Sequence, residues 1–178
     1  MFILYSIPVG IVAGYLLGGR IERLADLRLR WAALALIGLA VQVILFAEPV
    51  GTWVGAAGPA VYVGSSLAVF VAVLRNVAIP GVGVIAIGAG CNLAAIVANG
   101  GWMPADPGAL ASVGGPPSGP SNSIVVAEPA LRPLTDLFAL PAWLPFTNVF
   151  SVGDVLIGIG IAATIALAMR ARPVVEGV

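Results

Sequence analysis

Residues 2–30 read FILYSIPVGIVAGYLLGGRIERLADLRLR: eighteen residues without a charge, then four arginines within eleven. An uncharged apolar run of this length matches the ~20 residues a helix needs to cross the hydrocarbon core of a bilayer. The arginines that follow mark the cytoplasmic end of such a helix, because basic loops are retained on that side. No basic residue precedes the run and no small-x-small cleavage pattern directly follows it. It therefore reads as a retained helix rather than a secretory signal.

Four further apolar runs lie at 31–48, 55–75, 77–98 and 150–170, which with 2–19 makes five. Arg20, Arg23, Arg28 and Arg30 fall between the first two runs, Arg75 between the third and fourth, and Arg170 and Arg172 after the fifth. An odd number of crossings puts these seven on one side, leaving Arg132 on the other with Glu48, Asp106, Glu128 and Asp136. The expected architecture is all-α: one domain, residues 1–178, forming a polytopic bundle of about five transmembrane helices. Its N-terminus lies outside and its C-terminus in the cytoplasm, and a long external loop, 100–149, joins helices four and five. The expected location is a bacterial inner membrane, crossed several times.

Composition agrees. Of 178 residues, 60% are hydrophobic and 9% charged, against about 25% charged in soluble domains. The net charge is zero and the basic residues are all arginine, with no patch beyond the cytoplasmic ones, so nucleic acid is not an expected partner. Without histidine, and with Cys91 alone, the common metal, haem and redox ligand sets are closed off; no metal and no cofactor is expected. Ser–His–Asp chemistry is excluded on the same ground. The 20–30 connection spaces Ile21, Leu24 and Leu27 three apart, as a short helix lying on the membrane surface does, with a protein-docking face as the second reading.

Helices in lipid associate by close backbone approach, so small residues mark their contact faces. The first run carries Ser6, Gly10, Gly14 and Gly18 at i+4 spacing, the fourth Ala86, Gly90, Ala94 and Ala98, and the fifth Gly158, Ala162 and Ala166. These ridges predict tight packing, either within the chain or against other membrane chains or a second copy.

Polar residues in the spans are few. Asn92 and Asn99, seven apart, fall on one face of the fourth, and Asp154 extends the small-residue stripe of the fifth. Ser151-Val152-Gly153-Asp154 forms a capping box with Asp in place of Glu, and the same carboxylate is able to bind a cation, an amine or a proton. Asn99-Gly100-Gly101-Trp102-Met103-Pro104 is a helix stop, with a second reading in which Asn99 contributes to a ligand site. Residues 104–123 are expected to be irregular. Residues 131–149, rich in Leu, Phe and Trp but broken by Pro133, Pro141 and Pro145, are expected to lie on the outer face or to cap the bundle, with Asp136 near the levels of Asn99 and Asp154.

The NGGxMP stretch at 99–104, the Leu134–Leu140 segment with Asp136, and Phe150-Ser151-Val152-Gly153-Asp154 occur in an order that resembles a family of small bacterial integral membrane proteins, catalogued only as a domain of unknown function. The resemblance implies a five-helix membrane protein and assigns no catalytic residue. Two functions are expected from these observations. One is a non-enzymatic accessory or scaffold subunit of a membrane complex. The other is a small-molecule binding protein (carrier, sensor or lipid-modifying enzyme) whose outer-face site comprises Asn92, Asn99, Asp136 and Asp154.

Overall fold

The computed structural model describes residues 2–115 and 122–170. The chain is mostly helical. Seven α-helices lie among the described residues: α1 (Ser6–Leu16), α2 (Ala32–Leu45), α3 (Val50–Val54), α4 (Gly58–Leu74), α5 (Val82–Ala98), α6 (Pro107–Ser112) and α7 (Val152–Arg170). Two helical stretches, Val50–Leu74 and Val152–Arg170, are long and apolar enough to cross a membrane. Phe2–Leu16, Ala32–Leu45 and Val82–Ala98 are apolar but shorter. They are also shorter than the runs at 2–19, 31–48 and 77–98. Gly18 at φ 77° ends the first, Trp31 at φ 58° precedes the second, and Pro80-Gly81 delays the third. Pro80 lacks an amide hydrogen to donate, and Gly81 sits at φ 92°, where a side chain would be strained.

The five long helices lie side by side in the order α1, α7, α5, α4, α2. A Cβ at Gly10 would stand 2.9 Å from the Ala162 Cα, and one at Gly14 would strike the Met169 sulfur, so α1 runs parallel to α7 at close range. Nearer the start of α7, a Cβ at Gly158 would meet the Phe2 ring. Helix α5 runs antiparallel to α7, with Gly81 against Thr164, Ile85 against Gly160 and Gly88 against Gly153. The last member of the first ridge, Gly18, lies beyond α1, and a Cβ there would meet nothing within 4 Å. On α5 the close approach is made by Gly81 and Gly88, not by the 86/90/94/98 ridge. Gly90 only touches the Phe70 ring of α4, at ordinary distance, and Ala94 is exposed. Helices α2 and α4 meet through Gly38 against Val69, and Gln42 Nε2 donates to Ser66 Oγ at 3.3 Å.

Arginines gather at one end of this bundle. The Arg20 amide and the Arg23 guanidinium both donate to the Met169 carbonyl, at 2.9 and 3.2 Å, capping the last turn of α7. A 3₁₀ segment, Ile21–Asp26, fills the connection in which Ile21, Leu24 and Leu27 are spaced by three. Arg75 lies over the Trp31 ring at 6.0 Å. Arg172 falls outside the described residues.

Asn76, 8% exposed, ties the same end together. Its Nδ2 donates to the carbonyls of Arg30 and Ala72 at 2.7 and 2.8 Å, and its Oδ1 accepts the Arg30 amide at 2.8 Å. Asn76→Ala leaves those backbone groups unpartnered away from water, at a cost of about 2 kcal/mol. Thermal unfolding in detergent measures it; a loss below ~0.5 kcal/mol would show that water replaces the clip.

Residues 99–115 and 122–151 fold over the opposite end. Two-residue strands pair in parallel, β1 (Met103–Pro104) with β2 (Ser123–Ile124), and antiparallel, β3 (Phe138–Ala139) with β4 (Val149–Phe150). Phe150 stacks between Phe2 and Phe138, which pins Phe2 under this cap. The stretch expected to be irregular contains α6, because Asp106 accepts from the amides of Gly108 and Ala109 and Pro107 occupies the first helical turn. Residues 116–121 of the Pro/Gly/Ser-rich part lie outside the described residues. One apolar cluster, Leu45, Tyr62, Ala95, Ile96 and Met103, joins the helices to the cap; another, Ala105, Ala109, Leu110 and Val149, lies within it.

Candidate functional site

The first turn of α7 is built by its own sequence. The Ser151 hydroxyl accepts the Asp154 amide at 3.1 Å, and the Asp154 Oδ2 accepts the Ser151 amide at 3.1 Å, a reciprocal capping box. The hydroxyl hydrogen of Ser151, a fully buried residue, goes to a different helix: it is donated to the Asn92 Oδ1 at 2.8 Å. The Asn92 Nδ2 then donates to the Asp154 Oδ1, also at 2.8 Å. Three side chains thus close a ring between α5 and α7. The ring depends on two glycines. A Cβ at Gly153 would strike the Asn92 Oδ1, and one at Gly88 would strike the Gly153 carbonyl oxygen.

Asp136 reaches this region from the cap. Its amide donates to the Pro104 carbonyl and its carbonyl accepts the Asp106 amide, both at 2.9 Å, so its backbone is fixed by the β1 edge. The residue is 5% exposed. Burial, and secondarily the negative charge of Asp154, push its pKa up from 3.8 to about 7. Tyr62 of α4 lies in the field of both carboxylates, and its hydroxyl accepts from the Asn122 Nδ2 at 3.2 Å.

No cation compensates this charge among the described residues. Arg132, the one arginine at this end, is exposed and stands 4.0 Å from Asp106; the other described arginines are at the far end. Nor do three or more His, Cys, Asp or Glu side chains converge in a metal-binding arrangement among the described residues. Beside Tyr62 a cleft of about 280 Å³ opens between α2, α3, α4 and the Gly101-Trp102 turn, walled mainly by Leu45, Phe46, Pro59 and Trp102.

Of the four residues singled out from the sequence, Asn92 and Asp154 bond directly and Asp136 lies within electrostatic range of Asp154. Asn99 is elsewhere employed. Its Nδ2 donates to the carbonyls of Ala95 and Ala130 at 2.8 and 2.9 Å, and its Oδ1 accepts the Ala130 amide at 2.9 Å. Its amide hydrogens are consumed in holding the cap to α5, because the helix ends at Ala98 and Asn99 leaves the helical face it shares with Asn92 in projection. Sequence reasoning missed Tyr62 and Asn122. Tyr62 reads as one more aromatic in an apolar run, and Asn122 adjoins a low-complexity stretch; neither carries a local signal.

The profile of a family of unknown function, DUF5317, matches residues 26–166. No curated protein and no solved structure matches the chain.

Proposed function

The chain belongs to DUF5317, a family of unknown function, and on that premise we propose an integral membrane protein whose outer-face site binds a small positively charged group. In this reading α1, α2, the Val50–Leu74 stretch, α5 and α7 cross the bilayer of a bacterial inner membrane, with the N-terminus outside. Large exposed apolar side chains on outward helix faces support a lipid environment: Leu16 is 83% exposed, Val43 72% and Leu36 66%. The arginine-rich end supports the orientation. Reporter fusions test it. A phosphatase inserted after Gly115 is active, and a fluorescent protein after Val178 is bright; the reverse pattern overturns the orientation.

The observation that carries the binding reading is the buried carboxylate of Asp136, within electrostatic range of the partly buried Asp154 and without an arginine partner among the described residues. Two negative groups so placed favour a positive ligand or a shared proton. The test separates charge from structure at Asp154. Asp154→Asn keeps an acceptor for the Ser151 amide, and a turned Asn92 amide closes the ring again by donating to the Ser151 hydroxyl, whose own hydrogen loses its acceptor, so stability falls by about 1 kcal/mol; Asp154→Ala loses about 2 kcal/mol. Purified protein is screened by thermal shift against alkali cations and amines. A ligand that stabilises the native chain but not Asp154→Asn supports the reading, and equal responses sink it.

A second reading, an accessory subunit packing against another membrane chain or a second copy, is favoured by a different face. Ala60 and Gly64 of α4 are exposed at i+4 spacing, and nothing lies within 4 Å of a Cβ at Gly64. The ridges of α1 and α7, by contrast, are occupied within the chain. Gly64→Leu converts an oligomer or complex to a monomer in native mass measurement; a native protein that is already monomeric and partner-free removes this reading.

A further inference from the structure

We infer that the tip of the β3–β4 hairpin, residues 141–146, is a membrane anchor seated among the lipid headgroups of the outer leaflet. It is independent of the cation site and rests only on the reading in which the long helices cross the bilayer. Residues 137–153 carry no charge, and the tip reads Pro-Ala-Trp-Leu-Pro-Phe. The fold turns these apolar residues outward: Trp143 is 81% exposed and Phe146 69%, with Pro141, Ala142 and Pro145 exposed beside them. Contiguous apolar surface of this kind marks a contact with a partner or a membrane.

The partner is lipid, on three grounds. First, hydrogen bonds fix the level of the tip. The Tyr5 hydroxyl donates to the Pro145 carbonyl, and the Phe2 amide donates to the Asn148 Oδ1 at 3.0 Å. Both donors belong to Phe2–Tyr5, the 3₁₀ turn that leads into α1, so the tip stands where α1 enters the bilayer. Helix α1 is the end member of the row, and Leu4, Ile7 and Val9 are exposed on it and the turn before it. The tip continues that lipid-facing side. Second, the backbone suits a half-dry zone. Pro141 and Pro145 have no amide hydrogen. The carbonyls of Pro141, Leu144 and Pro145 accept from the Leu144 amide, the Thr147 hydroxyl and the Tyr5 hydroxyl. The Ala142 and Trp143 amides have no partner among the described residues. They need water or headgroup oxygens, which holds the tip at the interface and out of the hydrocarbon core. Third, the opposite edge of the row carries a matching group. Trp53 of α3, just beyond the outer end of α2, is 78% exposed. Tryptophan at both edges of one end forms the aromatic belt of a membrane interface; a docking patch for another protein needs no such counterpart.

Depth-dependent quenching tests the anchor. Of the four tryptophans, Trp31, Trp53 and Trp102 are replaced by Phe, leaving Trp143. The protein is placed in phosphatidylcholine nanodiscs, which leave both faces open to solutes. The quenchers are bromine near the headgroup end of the acyl chains, bromine near their methyl ends, and aqueous iodide. Shallow bromine is expected to quench at least about twice as strongly as deep bromine, with little effect of iodide. Strong quenching by iodide and none by either bromolipid overturns the inference and leaves the tip in water, open to another protein. Stronger quenching by deep bromine overturns the interfacial seat. Because three substitutions together can disturb the fold, the native chain is also compared with Trp143→Phe. The difference reports the same side chain with the other tryptophans in place, and must show the same order. A tryptophan-free chain carrying Ile37→Trp, at an exposed position near the middle of α2, is the control. If deep bromine quenches the control but no bromolipid quenches Trp143, the anchor alone falls. If no bromolipid quenches the control, the crossing and the anchor fall together.

Discussion

Gly88→Ala lowers the stability of the protein by about 3 kcal/mol or more. The added methyl group would strike the Gly153 carbonyl oxygen and stand 2.8 Å from the Ile157 amide nitrogen and 2.9 Å from the Leu156 Cβ. Two of these are backbone atoms of α7, which cannot give way one at a time. The helices must separate, and the ring of Asn92, Ser151 and Asp154 opens with them. Gly90→Ala, half a turn away, is the control. Its methyl group meets the Phe70 ring at 3.5 Å, an ordinary contact, and alanine gains up to ~1 kcal/mol over glycine in a helix. Denaturation in mixed micelles should therefore show a large loss for the first substitution and none for the second. Equal effects at the two positions would falsify the close α5–α7 crossing.

Asp136→Asn stabilises the ligand-free protein most at pH 8, by less than half as much at pH 5, and leaves it unchanged only below about pH 3.8. The folded pKa of Asp136, about 7, lies above its ordinary value of 3.8, so the folded state holds the proton more tightly than the unfolded one. The stability linked to that proton is fully present below pH 3.8. It declines as pH rises and is lost once pH passes about 7. Its size is at most about 4 kcal/mol. The charges around the group come from Asp154 on α7, Asp106 on the neighbouring edge and Arg132 on its own segment, with the Tyr62 hydroxyl on α4. Unfolding midpoints of lipid-free protein, compared between pH 5 and pH 8, test this. The native chain should lose stability over that interval and Asp136→Asn should not. A native midpoint that rises with pH would place a donor or cation on the carboxylate.

A bound ammonium reverses this penalty, since it favours the ionised form. Added ligand should therefore stabilise the native chain most at pH 8, where the empty site is least stable.

Much of the molecule is written in local sequence. The apolar runs, the arginines at one end, the capping box of Ser151 and Asp154, and the Gly10/Gly14 ridge of α1 depend on residues within a few turns of each other. Their periodicity is visible without a fold. The ends of α1 and α5 were less legible, because Gly18 and Pro80 act through backbone geometry and cut the helices inside longer apolar runs. The contact face of α5 was misread by a single step: Ala94 is exposed while Ala95 is fully buried. One residue turns a helix by about 100°, so composition alone could not tell which small-residue stripe meets α7.

The site shows the same division more sharply. Asp154 was legible as a cap because its partner lies three residues away. That Asn92 completes the ring, 59 residues before Ser151, follows only from the crossing of α5 and α7 at Gly88 and Gly153. Asn99 shares a helical projection with Asn92 yet serves the cap, because the helix stops one residue before it. Local chemistry along the chain determined which segments are helical, which end is basic and which carboxylate caps a helix. Only the tertiary structure decided which polar groups meet and which carboxylate is buried, because the burial of Asp136, with no arginine partner among the described residues, is a property of what packs around it.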